Sequence, residues 1–233
     1  MVNGLSDRSG VVFDDERVVV NAGIMLAVTL GRRLGIEALV DATVRLGDRR
    51  GASRPGRKVL SLMHAMLLGG DCIDDCDVLR SGRTAAVLGH RPMAPSTLGT
   101  FLRSFTFGHV RQLDRVLAVA LKRAWQAGAG PGTERLVIDV DSFVGEVHGH
   151  AKQGAGYGYT RKLGYHPILA TRADSAEVLH IGLRKGQANT QRGALRFVDE
   201  LLARVRRDRH DLAAGRLRLL EQEGDHAPAR AGL

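Results

Sequence analysis

Asp139 and Asp141 lie at the end of an apolar stretch, Arg135–Val140 (R-L-V-I-D-V), whose composition predicts a β-strand. Side chains alternate along a strand, so residues two apart share a face. Two carboxylates on one face repel each other unless a cation lies between them, and hard oxygen donors suit Mg²⁺ or Mn²⁺. The same spacing also fits a plainer arrangement, with one acid capping the next turn and both solvated. His148 and His150 follow closely. His148 could approach the acids, but nine histidines are spread along the chain, and a structural role fits it better. Cys72 and Cys76 are the only cysteines, four apart on an expected helix. With no second pair, zinc is not expected and buried reduced thiols are.

A second group of residues suits contact with a polyanion. Ser96, Thr97, Thr100 and Arg103 fall on a short expected helix after Pro95, where hydroxyls and a guanidinium could meet DNA; an ordinary surface helix N-capped by Ser96 is the competing picture. Arg49, Arg50, Arg54, Arg57 and Lys58 make a basic loop and helix start, open to phosphate or simply to solvent. Gly154–Lys162 (G-A-G-Y-G-Y-T-R-K) mixes glycine, tyrosine and the cations Arg161 and Lys162, as a DNA-facing hairpin loop or a mobile surface loop would.

The elements expected to position these groups change character along the chain. Val11–Phe13 and Arg17–Val20 could pair as a hairpin about Asp14-Asp15-Glu16. Helical periodicity then covers Ala22–Leu34, Ile36–Leu46 and Arg57–Leu68, with shorter helices at Ile73–Leu79 and Thr84–Leu88. His109–Trp125 is amphipathic through Val110, Leu113, Val116, Leu117, Ala120, Leu121 and Ala124. Gly128–Gly132 (G-A-G-P-G) is the expected domain boundary. Beyond it the period is strand-like at Arg135–Val140, Tyr165–Arg172 and Val178–Leu183. It is helical again over Thr190–Arg207, where that helix is expected to end. The expected class is α+β: an all-helical module over 1–130, then a β-β-β-α start over 131–207.

Composition limits the function. The 233 residues carry 34 Lys+Arg against 25 Asp+Glu, a net charge of +9. That favours a polyanionic partner, although only five of the cations are lysine, which points also to arginine-rich coding. No apolar run reaches the roughly 18–20 residues of a spanning helix, and Met1–Gly10 does not read as a secretory leader. A cytoplasmic, nucleoid-associated protein is the expectation.

Four segments in order carry a resemblance: Arg57–Gly82, Ala94–Phe105, Ile138–Gly149, and Tyr165–Pro167 with Leu183–Asn189 (L-R-K-G-Q-A-N). Together they resemble DDE-type insertion-sequence transposases, most closely the transposase DDE domain group 1 type, over about residues 11–207. The resemblance implies a cut-and-paste DNA transposase. Its helical part would bind double-stranded DNA at transposon terminal repeats. Its ribonuclease H-like part would use two Asp and one Glu to hold two Mg²⁺ (or Mn²⁺) ions, and the intact protein could act as a homo-oligomer. Asp141 best matches the first catalytic Asp, with Phe143 where the family often has Thr; Asp139 is the second choice. Arg184 and Lys185 join Arg54, Arg57, Lys58, Ser96, Thr97, Thr100, Arg103, Arg161 and Lys162 as candidate DNA contacts.

The family's second Asp, in a motif resembling R-A-D-S-G-F followed by W-N-K-K, has no counterpart after Arg207, and residues 208–233 lose the basic excess. One back-translation of Gly215–Glu223, read one nucleotide on, spells Ala-Asp-Ser-Gly-Phe-Trp-Asn-Lys. The expectation is therefore a frameshifted fragment with an out-of-frame tail, holding metal only weakly and inactive in cleavage. The alternative of a different class is a non-catalytic DNA-binding protein that occupies transposon ends or inhibits intact transposase.

Overall fold

The computed structural model describes residue 19 and residues 21–132, 135–149, 152–189 and 191–224, with side chains as far as 210. Apart from residue 19, the expected hairpin over residues 11–20 lies outside the described residues, as does His150. The chain is α+β and divides into two compact units, residues 1–109 and 110–233. The division falls in the first turn of a helix that begins at Phe107, ahead of the Gly128–Gly132 break.

The described part of the first unit is helical: α1 (Ile24–Arg33), α2 (Ile36–Thr43), α3 (Pro55–Leu67), a 3₁₀ segment (Asp74–Arg80), α4 (Thr84–Leu88) and α5 (Pro95–Arg103). Apolar residues three or four apart on α1 and α3 place Ile24, Val28 and Ala65 in one core with Cys76, Leu79, Leu88 and Leu98. Pro55 opens α3 at a position where its missing N–H is no loss, and the Gly56 N–H donates to Asp41 Oδ1 at 2.7 Å, tying α3 to α2. Three expectations change here. The 73–79 stretch winds as 3₁₀ rather than α. The cap of α5 is Ala94 with Pro95 in the first turn, so Ser96 lies inside the helix and caps nothing. Of the two cysteines only Cys76 is buried; Cys72 is exposed.

In the second unit, α6 (Phe107–Ala124) is followed by a π-type turn, Trp125–Ala129. Strands β1 (Ile138–Ser142), β5 (Ile168–Arg172) and β6 (Val178–Gly182) form an antiparallel sheet in that order, with Asp139 opposite Thr171 and Asp141 opposite Leu169. Helix α7 (Ala194–Gly224) covers it. The core joins Leu121, Trp125, Ile168, Ala170 and Leu179 to Phe197, Leu201 and Val205, four apart on α7, with Ile138 packed alongside. Between β1 and β5 the chain builds a smaller antiparallel sheet, β2 (Gly145–Glu146), β4 (Leu163–Tyr165) and β3 (Gly156–Tyr157), in the order β2-β4-β3.

Two expectations change in this unit. The single strand expected over 165–172 is two: the ladder leaves one sheet after Tyr165 and joins the other at Ile168, because Pro167 has no N–H to continue a ladder. The helix expected to end near Arg207 continues to Gly224.

Candidate functional site

The acids of β1 stand at the surface. Asp139, Val140 and Asp141 are all exposed, whereas Ile138 turns toward the core. By strand alternation the two carboxylates share one face. Asp141 Oδ1 accepts the Ser142 N–H at 2.6 Å. Among the described residues, no other Asp, Glu, His or Cys gathers with these two into a ligand cluster, and no strand pairs with the outer edge of β1.

The end of β1 is fixed by a buried histidine. His166 is 2% exposed. Its Nδ1 lies 2.6 Å from the Ala188 carbonyl, which can only accept, so Nδ1 carries the proton and donates. In the neutral ring Nε2 then accepts from the Ser142 hydroxyl at 3.2 Å. The His166 carbonyl accepts Arg184 Nε at 2.8 Å, and Arg184 Nη1 also donates to the carbonyls of Asn189 and Arg192. Arg184 therefore clamps the loop between β6 and α7. Lys185 is exposed beside the Tyr165–Lys185 bridge.

The small sheet carries the glycine- and tyrosine-rich segment. Tyr157 and Tyr159 are exposed, and Tyr159 rests against the His166 ring with centroids 5.9 Å apart. Arg161 is exposed with φ +58°, and Lys162 is paired with Glu146 at 2.7 Å. That ammonium holds the Glu146 carboxyl below its ordinary range.

A buried ionic network lies on the other side of β6. His180, 1% exposed, stands between Asp114 of α6 and Glu200 of α7, 3.3 Å from each carboxylate, with its ring stacked on Phe197 at 4.6 Å. Arg204 donates to Asp114 and to the Leu179 carbonyl, both at 2.9 Å. Arg111 and Arg196 both pair with Glu200. Burial pushes the Asp114 carboxyl up, but the close approach of His180 and the hydrogen bond and charge of Arg204 outweigh it and hold the group at about 2. Burial likewise pushes the Glu200 carboxyl up, but hydrogen bonds and charge from Arg111 and Arg196 outweigh it and hold the group below its ordinary range.

In the first unit, the basic candidates divide by what they touch. Arg54 precedes α3 with φ +50° and is exposed, and Arg57 pairs with Glu37 at 3.0 Å. Lys58 is 3% exposed: its ammonium donates to the carbonyls of Gly51 and Ser53 and sits 5.5 Å from the centre of the Phe101 ring. Burial lowers the Lys58 pKa. On α5, Leu98 and Phe101 face the core, while Ser96 and Arg103 are exposed and Thr97 and Thr100 half-buried. The Thr100 hydroxyl donates to the Ser96 carbonyl at 3.0 Å.

Sequence reasoning did not single out His166, Ser142, Asp114, His180, Glu200 or Arg204. One signal for the last two was present: Glu200 and Arg204 are four apart, and Arg204 falls among Phe197, Leu201 and Val205 on the apolar stripe.

A helical unit and a second unit of two small antiparallel sheets with one long helix make an α+β chain, and comparison with known families says which class it belongs to. The family described as transposase DDE domain group 1 matches residues 6–214. The chain belongs to that family, which depends on divalent metal ions. No curated protein and no solved structure is significantly similar to it.

Proposed function

We propose that this chain is the DNA-holding part of a cut-and-paste transposase and does not cut DNA by itself. The observation that carries the reading is the pair Asp139 and Asp141, exposed on the first strand of an antiparallel β1-β5-β6 sheet capped by α7, in a chain matched by the transposase family over most of its length. That strand order and the following helix support a ribonuclease H-like start, in which a first-strand acid is a metal ligand.

The donor chemistry at β1 suits one Mg²⁺ held through carboxylate oxygens and water. Asp141 is the first choice for that role, and Asp139 the second. A bound metal there would neutralise developing charge on a phosphoryl oxygen. Two ions need more carboxylates than gather at β1 among the described residues, so the residues present do not fit a two-metal centre. Cleavage and strand transfer are therefore assigned to an assembly that supplies the second Asp and the Glu. The shifted-frame reading of Gly215–Glu223 supports a missing second acid encoded in the overlapping frame, which sequencing of the locus tests directly.

The chain's own residues bind and orient. Arg54, Arg57, Ser96, Thr97, Thr100 and Arg103 present charge and hydroxyls from the first unit. Arg161, Lys162 and Lys185 do so beside the small sheet of the second. Lys58 and Arg184 act as positioning residues, the one holding the 51–53 loop and the other the 184–192 loop. A second reading, a non-catalytic occupant of transposon ends that competes with intact transposase, is favoured by the exposure of Asp139 and Asp141 without a further acid beside them among the described residues. Fluorescence anisotropy with terminal-repeat duplex, across a salt series, tests the binding common to both. Salt-sensitive binding is expected, with log affinity falling linearly in log salt; absence of binding at low salt refutes both.

A further inference from the structure

The first unit contains a cavity of about 260 Å³ that none of the candidate DNA contacts lines. Its walls include Val28, Leu88 and Gly89 together with Arg32, His64 and His90. It is smaller than the roughly 300–1,000 Å³ of pockets that take drug-sized ligands, and far larger than the roughly 30 Å³ share of one water. A small hydrated ion fits that size.

Its polar lining is incomplete as it stands. His64 is 4% exposed, and its Nδ1 has no hydrogen-bond partner among the described residues. Nε2 of His90 is likewise enclosed and without a partner. The two rings lie nearly parallel, 20° apart, with centroids separated by 6.3 Å. Enclosed ring nitrogens without partners are costly, and such groups call for a water, an ion or a functional role. Arg32 is held at the same cavity by donating from Nη2 to the Leu88 carbonyl at 3.0 Å. Gly89, at φ +70°, keeps room for it: a Cβ there would lie 2.1 Å from Arg32 Nη2.

The charges decide between a cation and an anion. Two imidazoles could ligate a transition metal, but the neighbouring guanidinium opposes a cation, and among the described residues no third ligand gathers with them. The Glu37 carboxylate at the wall is paired with Arg57 at 3.0 Å. A guanidinium fork and two imidazoles beside apolar walls instead match a tetrahedral oxyanion, whose charge-assisted hydrogen bonds strengthen where water is excluded. We propose that this cavity binds a phosphate-type oxyanion through Arg32, His64 and His90.

Free phosphate and a DNA backbone phosphate share that chemistry. The proposal rests on the cavity alone and holds whether or not the transposase reading does. Burial, then His90 and Arg32, keep the His64 pKa below its ordinary value. Of the acidic groups at the cavity, Glu37 is paired with Arg57, so a gain in affinity at lower pH is carried by His64.

The test is imidazole NMR on the full chain, titrated separately with inorganic phosphate and with sulfate. Saturable shifts at His64 and His90 are expected. Arg32→Gln, in protein whose circular dichroism and melting curve show it to be folded, is expected to weaken binding about tenfold, as loss of one charge-assisted pair does. Gly89→Ala, which displaces the guanidinium, acts in the same direction. Sulfate should bind more tightly at pH 6 than at pH 8. No saturable shift up to about 50 mM anion, an upper bound for weak specific binding, overturns the proposal. So does a folded Arg32→Gln protein that binds phosphate as the unaltered chain does. A terminal-repeat duplex that displaces phosphate from His64 identifies the DNA backbone as the source of the anion; one that leaves it bound identifies the free ion.

Discussion

Replacing Asp114 by Asn removes one charge from the buried network at His180 and leaves the shape of the side chain. The carboxyl titrates at about 2 in the folded chain against an ordinary value of 3.8. At 1.36 kcal/mol per pKa unit, that difference corresponds to about 2 kcal/mol of stability at pH 7. Asp114 is only 18% exposed, so solvent screening takes little from this figure. The folded-state value is depressed, so the contribution is complete above the unfolded pKa and is lost as pH falls through the folded one. Roughly half of it remains at pH 3 by the same linkage relation. Trp125, the only tryptophan, lies at 2% exposure in the core of the second unit, with its Nε1 donating to Glu177 at 3.0 Å. Its fluorescence during urea unfolding therefore reports the second unit. The Asn variant should lose about 2 kcal/mol at pH 7, and the gap from the unaltered chain should halve at pH 3. A loss under about 0.5 kcal/mol, within the usual span of surface substitutions, or a gap independent of pH from 3 to 7, would refute the reasoning.

Other substitutions separate structural cations from DNA contacts. Lys58→Met should destabilise the first unit by about 1–3 kcal/mol, the range for losing hydrogen bonds from a charged group, while the folded protein keeps its DNA affinity; far-UV circular dichroism and anisotropy read the two effects. Arg103→Ala should do the reverse, leaving the melting curve unchanged and reducing the slope of log affinity on log salt by about 1. Gly186→Ala places a Cβ 2.2 Å from the carbonyl oxygens of both Gly156 and Gly164. It should part the small sheet and speed proteolysis within 152–162, with a stability cost of about 1–3 kcal/mol typical of overpacking.

The helical elements were legible because each buries a stripe whose period is local. The apolar residues of α6 spell out its inward face. On α7 only Phe197, Leu201 and Val205 of the apolar positions turn inward, while Leu195, Val198 and Leu202 stand exposed. Helices α3 and α5 begin at Pro55 and Pro95, ahead of the starts expected at Arg57 and after Ser96. The strand break at His166–Pro167 was not legible, since Tyr165 and Ile168 belong to one apolar run and only pairing partners far along the chain assign them to different sheets. The end of α7 was misjudged for a different reason. A shift in charge balance at Asp208 reads as a boundary, yet leucine, alanine, arginine and glutamate after it all favour helix. At the candidate site, the Asp139–Asp141 spacing was visible and their exposure was not. His166 and His180 gain their meaning from Ala188, Ser142, Asp114 and Glu200, contacts that no local pattern encodes. Lys58 looked like its neighbours Arg54 and Arg57 in sequence, and differs only because α3 turns it inward over Phe101.

The central claim is that this chain holds transposon-end DNA and does not cut it. It is tested most directly by incubating the purified full chain with supercoiled DNA carrying the terminal repeats, in Mg²⁺ and in Mn²⁺, and following retardation and nicking on the same gel. A retarded complex with no nicked or linear product in either metal is expected. Metal-dependent nicking that is abolished by Asp141→Ala would contradict it.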